Sequence, residues 1–417
     1  MKKISLLTTC AIAVCMASSA LAQQKTLTVA SFPSFDEAIK VAIPLYKKIR
    51  PDVDIKLVSL GYGDHHNAMV TALSTGAGLP DVMGVEIGFI GKFAASGAVE
   101  DLSKPPYNAL THKSKIVGYT FSQGSNLEGG LAAMPADIGP GTLLIRQDIL
   151  DKSGVTNAQL TQSWESYINA GKVIKEKTGV LLLPHANSIN EVYIRANVKS
   201  GEGIYFDKNN KPLFNTPRFE KAFEYAKAVR VAGLDAKILP WTNEWSEGFK
   251  RGSFVTEMRG AWMLGQLSSW LAPETKGKWR ASNLPNNAYS SWGGSFYAIP
   301  KKISDDQKKV AWEFITFMTT NKEMQVAAFK GLDAFPALIE AASDPFVEQP
   351  VEFFAGQKAR HLWRSAAAKI PVITVNKLDP AAEEIMNAEL TKVLDENKDI
   401  KLALADAQRQ ADRRSRK

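Results

Sequence analysis

The residue types that most often perform catalysis or hold metals are scarce in this sequence. There are five histidines and two cysteines, and Cys10 and Cys15 both lie close to the amino terminus. His65 and His66 are adjacent and would point apart in a loop, so they do not form a metal pair. No HExxH helix, GxSxG turn or GxxxxGKS/T loop is present. The sequence therefore predicts no catalytic residue, no metal site and no cofactor.

Aromatic residues are the most conspicuous candidates for binding a ligand. Six of the nine tryptophans fall between residues 241 and 292. An indole offers a flat apolar face and one hydrogen-bond donor, which complements a sugar ring. Carboxylates and amides such as Glu86, Asp137 and Asn187 can bond the hydroxyls of such a ring. We expect about four of the six indoles to pack in the core and about two to contact ligand.

The first 22 residues have the features of a secretory signal peptide. Lys2 and Lys3 precede an apolar stretch over residues 4–16, and Ala20-Leu21-Ala22 supplies a small–x–small cleavage site. Cleavage there would remove both cysteines. We therefore expect an exported protein of a bacterial periplasm. The net charge of +8 is spread thinly along the chain, so no nucleic-acid partner is expected.

Alternating strands and helices must position the candidate residues. Residues 26–32, 54–60 and 80–85 read as strands, with a helix in each interval. Ser34 and Glu37 have the spacing of a capping box for the first helix. This order predicts a parallel sheet, whose carboxyl ends meet at one edge where ligands bind. Ser34, Tyr62 and Glu86 follow the three strands. Phe32 and Tyr62 could equally well serve only to cover the sheet edge.

A second α/β block follows. Residues 142–146 read as a strand and residues 164–177 as a helix. The apolar run 180–183 fits a strand buried on both faces. Asn187 lies just beyond its carboxyl end, which makes it a second candidate wall of a cleft.

Five segments, in this order, are typical of one family. They are GAGLPDV at 76–82, MPADIGPG at 134–141, RGSFVTEMRGAW at 251–262, WGG at 292–294, and AIPK at 298–301 leading into AWEFI at 311–315. Over nearly all of residues 25–410 the chain resembles the extracellular solute-binding proteins of family 1, the maltose-binding-protein-like, carbohydrate-binding subunits of ABC transporters. Ile145 and Ala261 depart from the usual pattern, which has an aromatic residue and a proline there.

The resemblance implies a type II periplasmic-binding-protein fold, in which each of two α/β lobes is a mainly parallel sheet flanked by helices. The first lobe would hold residues 25–137 and 293–345, and the second lobe residues 138–292 and 346–417. The ligand would lie in a cleft at the hinge between them.

The resemblance also implies a set of ligand-binding residues. Glu86, Asp137, Trp262 and Trp292-Gly293-Gly294 match family positions. The geometry of the strand ends adds Tyr62, Asn187 and Trp245 as candidates. Two further candidates would either complete the cleft or serve only in packing, namely Arg360 and Trp363. The full expected set is Ser34, Tyr62, Glu86, Asp137, Asn187, Trp245, Trp262, Trp292, Gly293, Gly294, Arg360 and Trp363.

The function implied is capture of a sugar by hinge closure and its delivery to a membrane permease, by a monomer without enzymatic activity. Two alternatives stay open. An exported glycoside hydrolase would need two carboxyls astride the sugar, and only Glu86 and Asp137 suggest such a pair. A relative that binds polyamine, glycerol phosphate or iron would need a site whose binding side chains all carry charge of the same sign.

Overall fold

The computed structural model describes residues 24–126 and 128–416, so the expected signal peptide at 1–22 lies outside the described residues. The strands are β1 Lys25–Ser31, β2 Val53–Ser59, β3 Val82–Glu86, β4 Met134–Pro135, β5 Gly141–Arg146, β6 Thr256–Gly260, β7 Trp279–Ser282 and β8 Ser295–Ala298.

The helices outnumber the strands. They are α1 Phe35–Ile49, α2 Tyr62–Thr75, α3 Ile87–Ala95, α4 Gly118–Gly124, α5 Gln147–Ser153, α6 Asn157–Thr161, α7 Trp164–Thr178, α8 Asn187–Ala196, α9 Pro217–Val231, α10 Asn243–Arg251, α11 Met263–Gln266, α12 Asp305–Thr320, α13 Lys322–Leu332, α14 Ile339–Ala342, α15 Ala359–Ala367, α16 Asp379–Asp395 and α17 Ile400–Ser415. Over the described ranges, none is both long enough and apolar enough to cross a membrane.

A five-stranded sheet in the order β2-β1-β3-β8-β4 forms the first lobe. β1 pairs in parallel with β2 and with β3, as the alternation of strands and helices predicts. On the other side, β8 is antiparallel to both of its neighbours, β3 and β4. Helices α1, α3, α4 and α12 pack on this sheet. The carboxyl ends of β1, β2 and β3 therefore meet at one edge.

The second lobe is built on β6-β5-β7, and here the expected parallel sheet is wrong. β5 is antiparallel to both β6 and β7. The reason is the path of the chain: β5 leads away from the junction with the first lobe, whereas β6 and β7 lead back to it. Over the described residues of this lobe, parallel pairing is limited to three isolated bridges: Leu181 with Phe254, Leu183 with Asp235, and Gly203 with Thr374. The predicted strand at 180–183 is present only as the bridges of Leu181 and Leu183.

The chain crosses between the two sheets at two adjacent segments. The first lies between β4 and β5, and the second lies between β7 and β8. They are bonded to each other, because the Trp292 amide donates to the Gly139 carbonyl at 2.7 Å and Pro140 bridges Ser291. The late helices α15, α16 and α17 pack on the second lobe, against β5, β7 and α9. The two crossing segments form the hinge.

Candidate functional site

Tyr62 and Glu86 form the first-lobe wall of a cleft between the lobes. Tyr62 begins α2 and Glu86 ends β3, and the tyrosine hydroxyl donates to Glu86 Oε2 at 2.9 Å. The same oxygen caps α3 by accepting from the Gly88 amide at 2.7 Å. The side chain of Tyr62 remains 46% exposed, so a solvent-filled space lies beside this pair.

His66 fixes the position of both residues, a role that the sequence did not reveal. Its Nε2 accepts from the Glu86 amide at 3.1 Å, so the ring proton must lie on Nδ1, which donates to the Tyr62 carbonyl at 2.7 Å. The ring stacks on Phe89 with a centroid distance of 4.1 Å. Burial lowers the pKa of His66 to about 4. The ring is therefore neutral at physiological pH.

The His66 ring is expected to make the protein less stable as the pH falls. Its folded pKa of about 4 lies below the ordinary 6.5, so the unfolded chain binds the proton more tightly and stability is lost between about pH 6.5 and pH 4. The contribution is on the order of 3 kcal/mol. Comparing denaturant unfolding of the wild type and His66→Leu across this range should show a steeper loss of stability in the wild type, because the other titrating groups are common to both. Equal slopes would contradict the assignment.

Two helices of the second lobe, α8 and α16, supply the opposite wall. Burial raises the pKa of Glu86, and the negative charge of Glu383 adds to the rise. The rise is opposed by the hydrogen bonds from Gly88 and Tyr62 and by the positive charge of Arg195. Arg195 on α8 and Glu383 on α16 therefore both lie near Glu86. Neither was identified from the sequence, and no motif marks them.

Asn187 holds the two helices of this wall together. Its Nδ2 donates to Glu191 Oε1 at 2.9 Å within α8 and to Asn387 Oδ1 at 3.2 Å on α16. Burial raises the pKa of Glu191 to about 7, although the charge of Arg259 opposes the rise. Asn187 thus joins α8 to α16 and orients the carboxyl of Glu191.

The indole of Trp292 lies between the charged wall and the hinge. The guanidinium carbons of Arg195 and Arg259 lie 4.9 and 5.1 Å from its ring centroid. Across the part of the chain that the structure describes, Arg195 has no hydrogen bond or ion pair. Two nitrogens of Arg259, Nε and Nη2, also lack hydrogen-bond partners there. The donors of Arg195 are therefore available to a ligand, whereas the guanidinium of Arg259 is buried and lies 3.6 Å from both Glu191 and Glu257.

Trp262 packs against the hinge, where three glycines leave room for its indole. Its Nε1 donates to the Trp292 carbonyl at 2.9 Å. A Cβ at Gly293 would lie 2.9 Å from Nε1, and one at Gly260 or Gly139 would overlap the indole or the Trp292 carbonyl. Trp262 also contacts the cores of both lobes. The indole is therefore placed where the lobes pivot.

Gly293 and Gly294 both have positive φ, +89° and +141°, as the second crossing turns into β8. The Gly294 carbonyl accepts from the amide of Ile87, the first residue of α3. The two glycines thus join the hinge to the helix that begins directly after Glu86.

Asp137 lies at the first crossing but does not face Glu86 as a partner carboxyl. Its Oδ1 accepts from the Ser295 amide at 2.8 Å. The side chain lines a small cavity inside the first lobe with Tyr297 and Gln325. Burial raises the pKa of Asp137 to about 6. Its contacts hold β8 to the hinge.

The chain matches, over residues 45–355, the family described as bacterial extracellular solute-binding protein. It belongs to that family. This solute-binding protein is 25% identical over 368 residues to the lactose-binding protein of Rhizobium radiobacter, covering 84% of each chain. It is also 25% identical over 338 residues to the arabinooligosaccharide-binding protein of Bacillus subtilis (strain 168), covering 77% of this chain and 75% of the relative.

Solved structures show the same fold. A crystal structure of an extracellular solute-binding protein of family 1 aligns with a TM-score of 0.81 at 23% identity, over 94% of this chain and all of that one. The binding protein from B. animalis subsp. lactis Bl-04 in complex with beta-1,6-galactobiose aligns with a TM-score of 0.77 at 20% identity, over 94% and 98% of the two chains. The expected family and the two-lobed fold are thereby confirmed.

Three expected site residues of this solute-binding protein have packing roles instead. Trp245 is fully buried and its Nε1 donates to Glu257 at 3.0 Å. Trp363 is buried against Phe354. Arg360 is bound by both carboxylate oxygens of Asp333. None of the three has a surface free for a ligand, because spacing along a helix does not distinguish a core face from a cleft face.

Ser34 lies at the expected sheet edge, but its predicted capping box does not form. Its hydroxyl makes no cap hydrogen bond and its φ is +73°. In that backbone conformation the side chain turns away from the helix amides and stays exposed.

The lobes of the solute-binding protein also touch at the outer lip of the cleft. Gly91 on α3 lies against the Asn376 backbone, which precedes α16. A Cβ at Gly91 would lie 2.9 Å from the Asn376 nitrogen and 2.5 Å from its carbonyl carbon. Any side chain at residue 91 would therefore separate the two lobes at this lip.

Proposed function

We propose that this protein captures a saccharide between its two lobes and delivers it to the membrane permease of an ABC importer. The observation that carries the proposal is the mixed character of the cleft. Arg195 offers unused donors, whereas Glu86 and Glu383 offer acceptors. Sugar hydroxyls both donate and accept, so they can satisfy both kinds of group at once. Relatives named for binding lactose and arabinooligosaccharides support this assignment.

The same mixture disfavours the other solutes. A polyamine would be matched by carboxylates alone, and a phosphate would be matched by cations alone. A hydrolase would require two carboxyls astride the sugar. The pair suggested by the sequence, Glu86 with Asp137, does not form because Asp137 is engaged with Ser295. Glu86 and Glu383 do lie on opposite walls, but the matching family is one of solute-binding proteins. We therefore propose a binding role without catalysis.

The cellular setting and the lobe boundaries belong to this proposal as well. Membership of an extracellular family supports export, and the signal-peptide features of residues 1–22 point to a periplasm. We propose that residues 25–137 with 293–345 and residues 138–292 with 346–417 move as the two lobes, since the crossings between the sheets lie near 138 and 292.

A thermal-shift screen tests the function. The panel contains lactose, maltotriose, beta-1,6-galactobiose and an arabino-oligosaccharide, with spermidine and glycerol 3-phosphate as charged competitors. A saccharide at 100 times its dissociation constant should stabilise the protein by about 2.7 kcal/mol, and it should be recovered unchanged by chromatography. Stabilisation by spermidine or glycerol phosphate alone, or appearance of hydrolysis products, would overturn the proposal.

A further inference from the structure

Trp241 is an exposed indole at the end of an aromatic row that leads into the cleft. Its side chain is 59% exposed, which is unusual for the largest apolar side chain. Its φ is +69°, in the left-handed region that bulky residues rarely adopt. A strained backbone persists where the surrounding structure enforces it, and such positions cluster at binding sites.

The structure around Trp241 holds the indole rigidly. The hydroxyl of the next residue, Thr242, accepts from the Trp245 amide at 3.2 Å and donates to the Leu239 carbonyl at 2.9 Å. The indole of Trp241 packs on the buried Trp245, with ring centroids 5.0 Å apart. An exposed ring with a fixed base loses little entropy when a ligand stacks on it.

The row continues from Trp241 to the charged part of the cleft. Trp241 stacks on Trp262 with centroids 6.0 Å apart and ring planes 21° apart. The Trp262 indole donates a hydrogen bond to the Trp292 carbonyl, and the guanidinium groups of Arg195 and Arg259 lie over the ring of Trp292. Exposure rises along this row, from 7% at Trp292 to 59% at Trp241. The polar groups are at the inner end, and the free apolar face is at the outer end.

We propose that Trp241 forms an outer subsite, which stacks on an outer sugar ring of an oligosaccharide whose inner ring lies among Arg195, Glu86 and Glu383. This inference rests on the proposed saccharide-binding function and deepens it, because it makes the preferred ligand longer than one ring. A monosaccharide held by the inner polar groups would not reach Trp241. The free side of the outer indole suits the apolar face of a sugar.

Isothermal titration calorimetry of Trp241→Gly tests the subsite. The probes are lactose and maltotriose, each compared with its own monosaccharides, galactose and glucose. Glycine relieves the positive φ, so this variant keeps its fold, and Trp241→Ala serves as the second variant. The matched control is Trp270→Ala, which removes another exposed indole, 54% exposed.

The wild type should bind the preferred oligosaccharide more tightly than its monosaccharides, and both Trp241 variants should weaken that oligosaccharide by about tenfold or more. Monosaccharide binding and the Trp270→Ala control should change by less than about twofold. If the Trp241 variants kept full affinity for the oligosaccharide, or lost affinity equally for the oligosaccharide and the monosaccharides, the subsite would be wrong. The proposed saccharide-binding function would not be affected by that result. If the wild type binds no saccharide at all, the proposed function fails and the subsite fails with it.

Discussion

Replacing Gly91 by alanine is expected to weaken saccharide binding by about 5- to 150-fold, while the unliganded protein loses no stability. The added methyl would collide with the backbone of Asn376, which no side-chain rotation can relieve. Overpacking of this kind costs about 1–3 kcal/mol. Because Gly91 and Asn376 lie on different lobes, we expect this contact, and therefore its cost, only in the closed state. A ligand that binds the closed state loses the same free energy from its apparent affinity.

The unliganded protein should respond in the opposite direction. Gly91 lies within α3, where alanine is favoured over glycine by about 1 kcal/mol. Thermal unfolding without ligand should therefore occur at the same or a higher temperature. Calorimetric titration with the saccharide found in the screen measures the loss of affinity.

The matched control for this prediction is Gly118→Ala. Gly118 begins α4, and a Cβ there meets no atom within 4 Å. This variant should bind ligand as the wild type does. If Gly91→Ala also kept full affinity, closure at this lip would not accompany binding.

Arg195→Met is expected to reduce saccharide affinity by about 10- to 150-fold, because hydrogen bonds to a charged group contribute about 1.5–3 kcal/mol. The guanidinium is free of protein partners in the described chain, so its donors are available to the ligand. It is also a positive charge near Glu86, Glu191 and Glu383. Without it, Glu191 would still have Arg259 beside it, but Glu86 and Glu383 would lose a neighbouring positive charge, and closure would become less favourable.

Calorimetry of three variants measures this contribution. Arg195→Lys should recover part of the affinity, because an ammonium keeps the charge but lacks the planar fork. Arg251→Met removes an exposed arginine of α10, and it should bind ligand normally. Full affinity in Arg195→Met would remove the arginine from the binding site, whereas a loss that lysine does not rescue would assign its role to packing on Trp292.

The first-lobe wall was predictable from the sequence because it follows from the order of elements. Parallel strands bring their carboxyl ends together, and this places Tyr62 beside Glu86 although 23 residues separate them. Local composition defines the strands, and the crossover rule defines the edge. The segments typical of the family also predicted two residues of the hinge, Trp262 and Trp292.

The second-lobe wall was not predictable by the same reasoning. Arg195 and Glu383 lie on helices far apart in the sequence, and their meeting depends on how α8 packs beside α16. The tryptophans show the same limit. Trp241 and Trp245 are four residues apart, yet one is exposed and the other is fully buried. That difference depends on the loop conformation before α10, which composition does not specify.

The pairing order of the first sheet bears on how the chain folds. β8 lies between β3 and β4, so this sheet remains incomplete until residues 295–298 have been synthesised. Joining segments so distant in sequence slows folding, because loop closure must precede the stabilising contacts. Under the export proposed above, a polypeptide that stays unfolded for longer can still pass through a translocation channel, so this strand order would favour passage across the membrane before the lobes form.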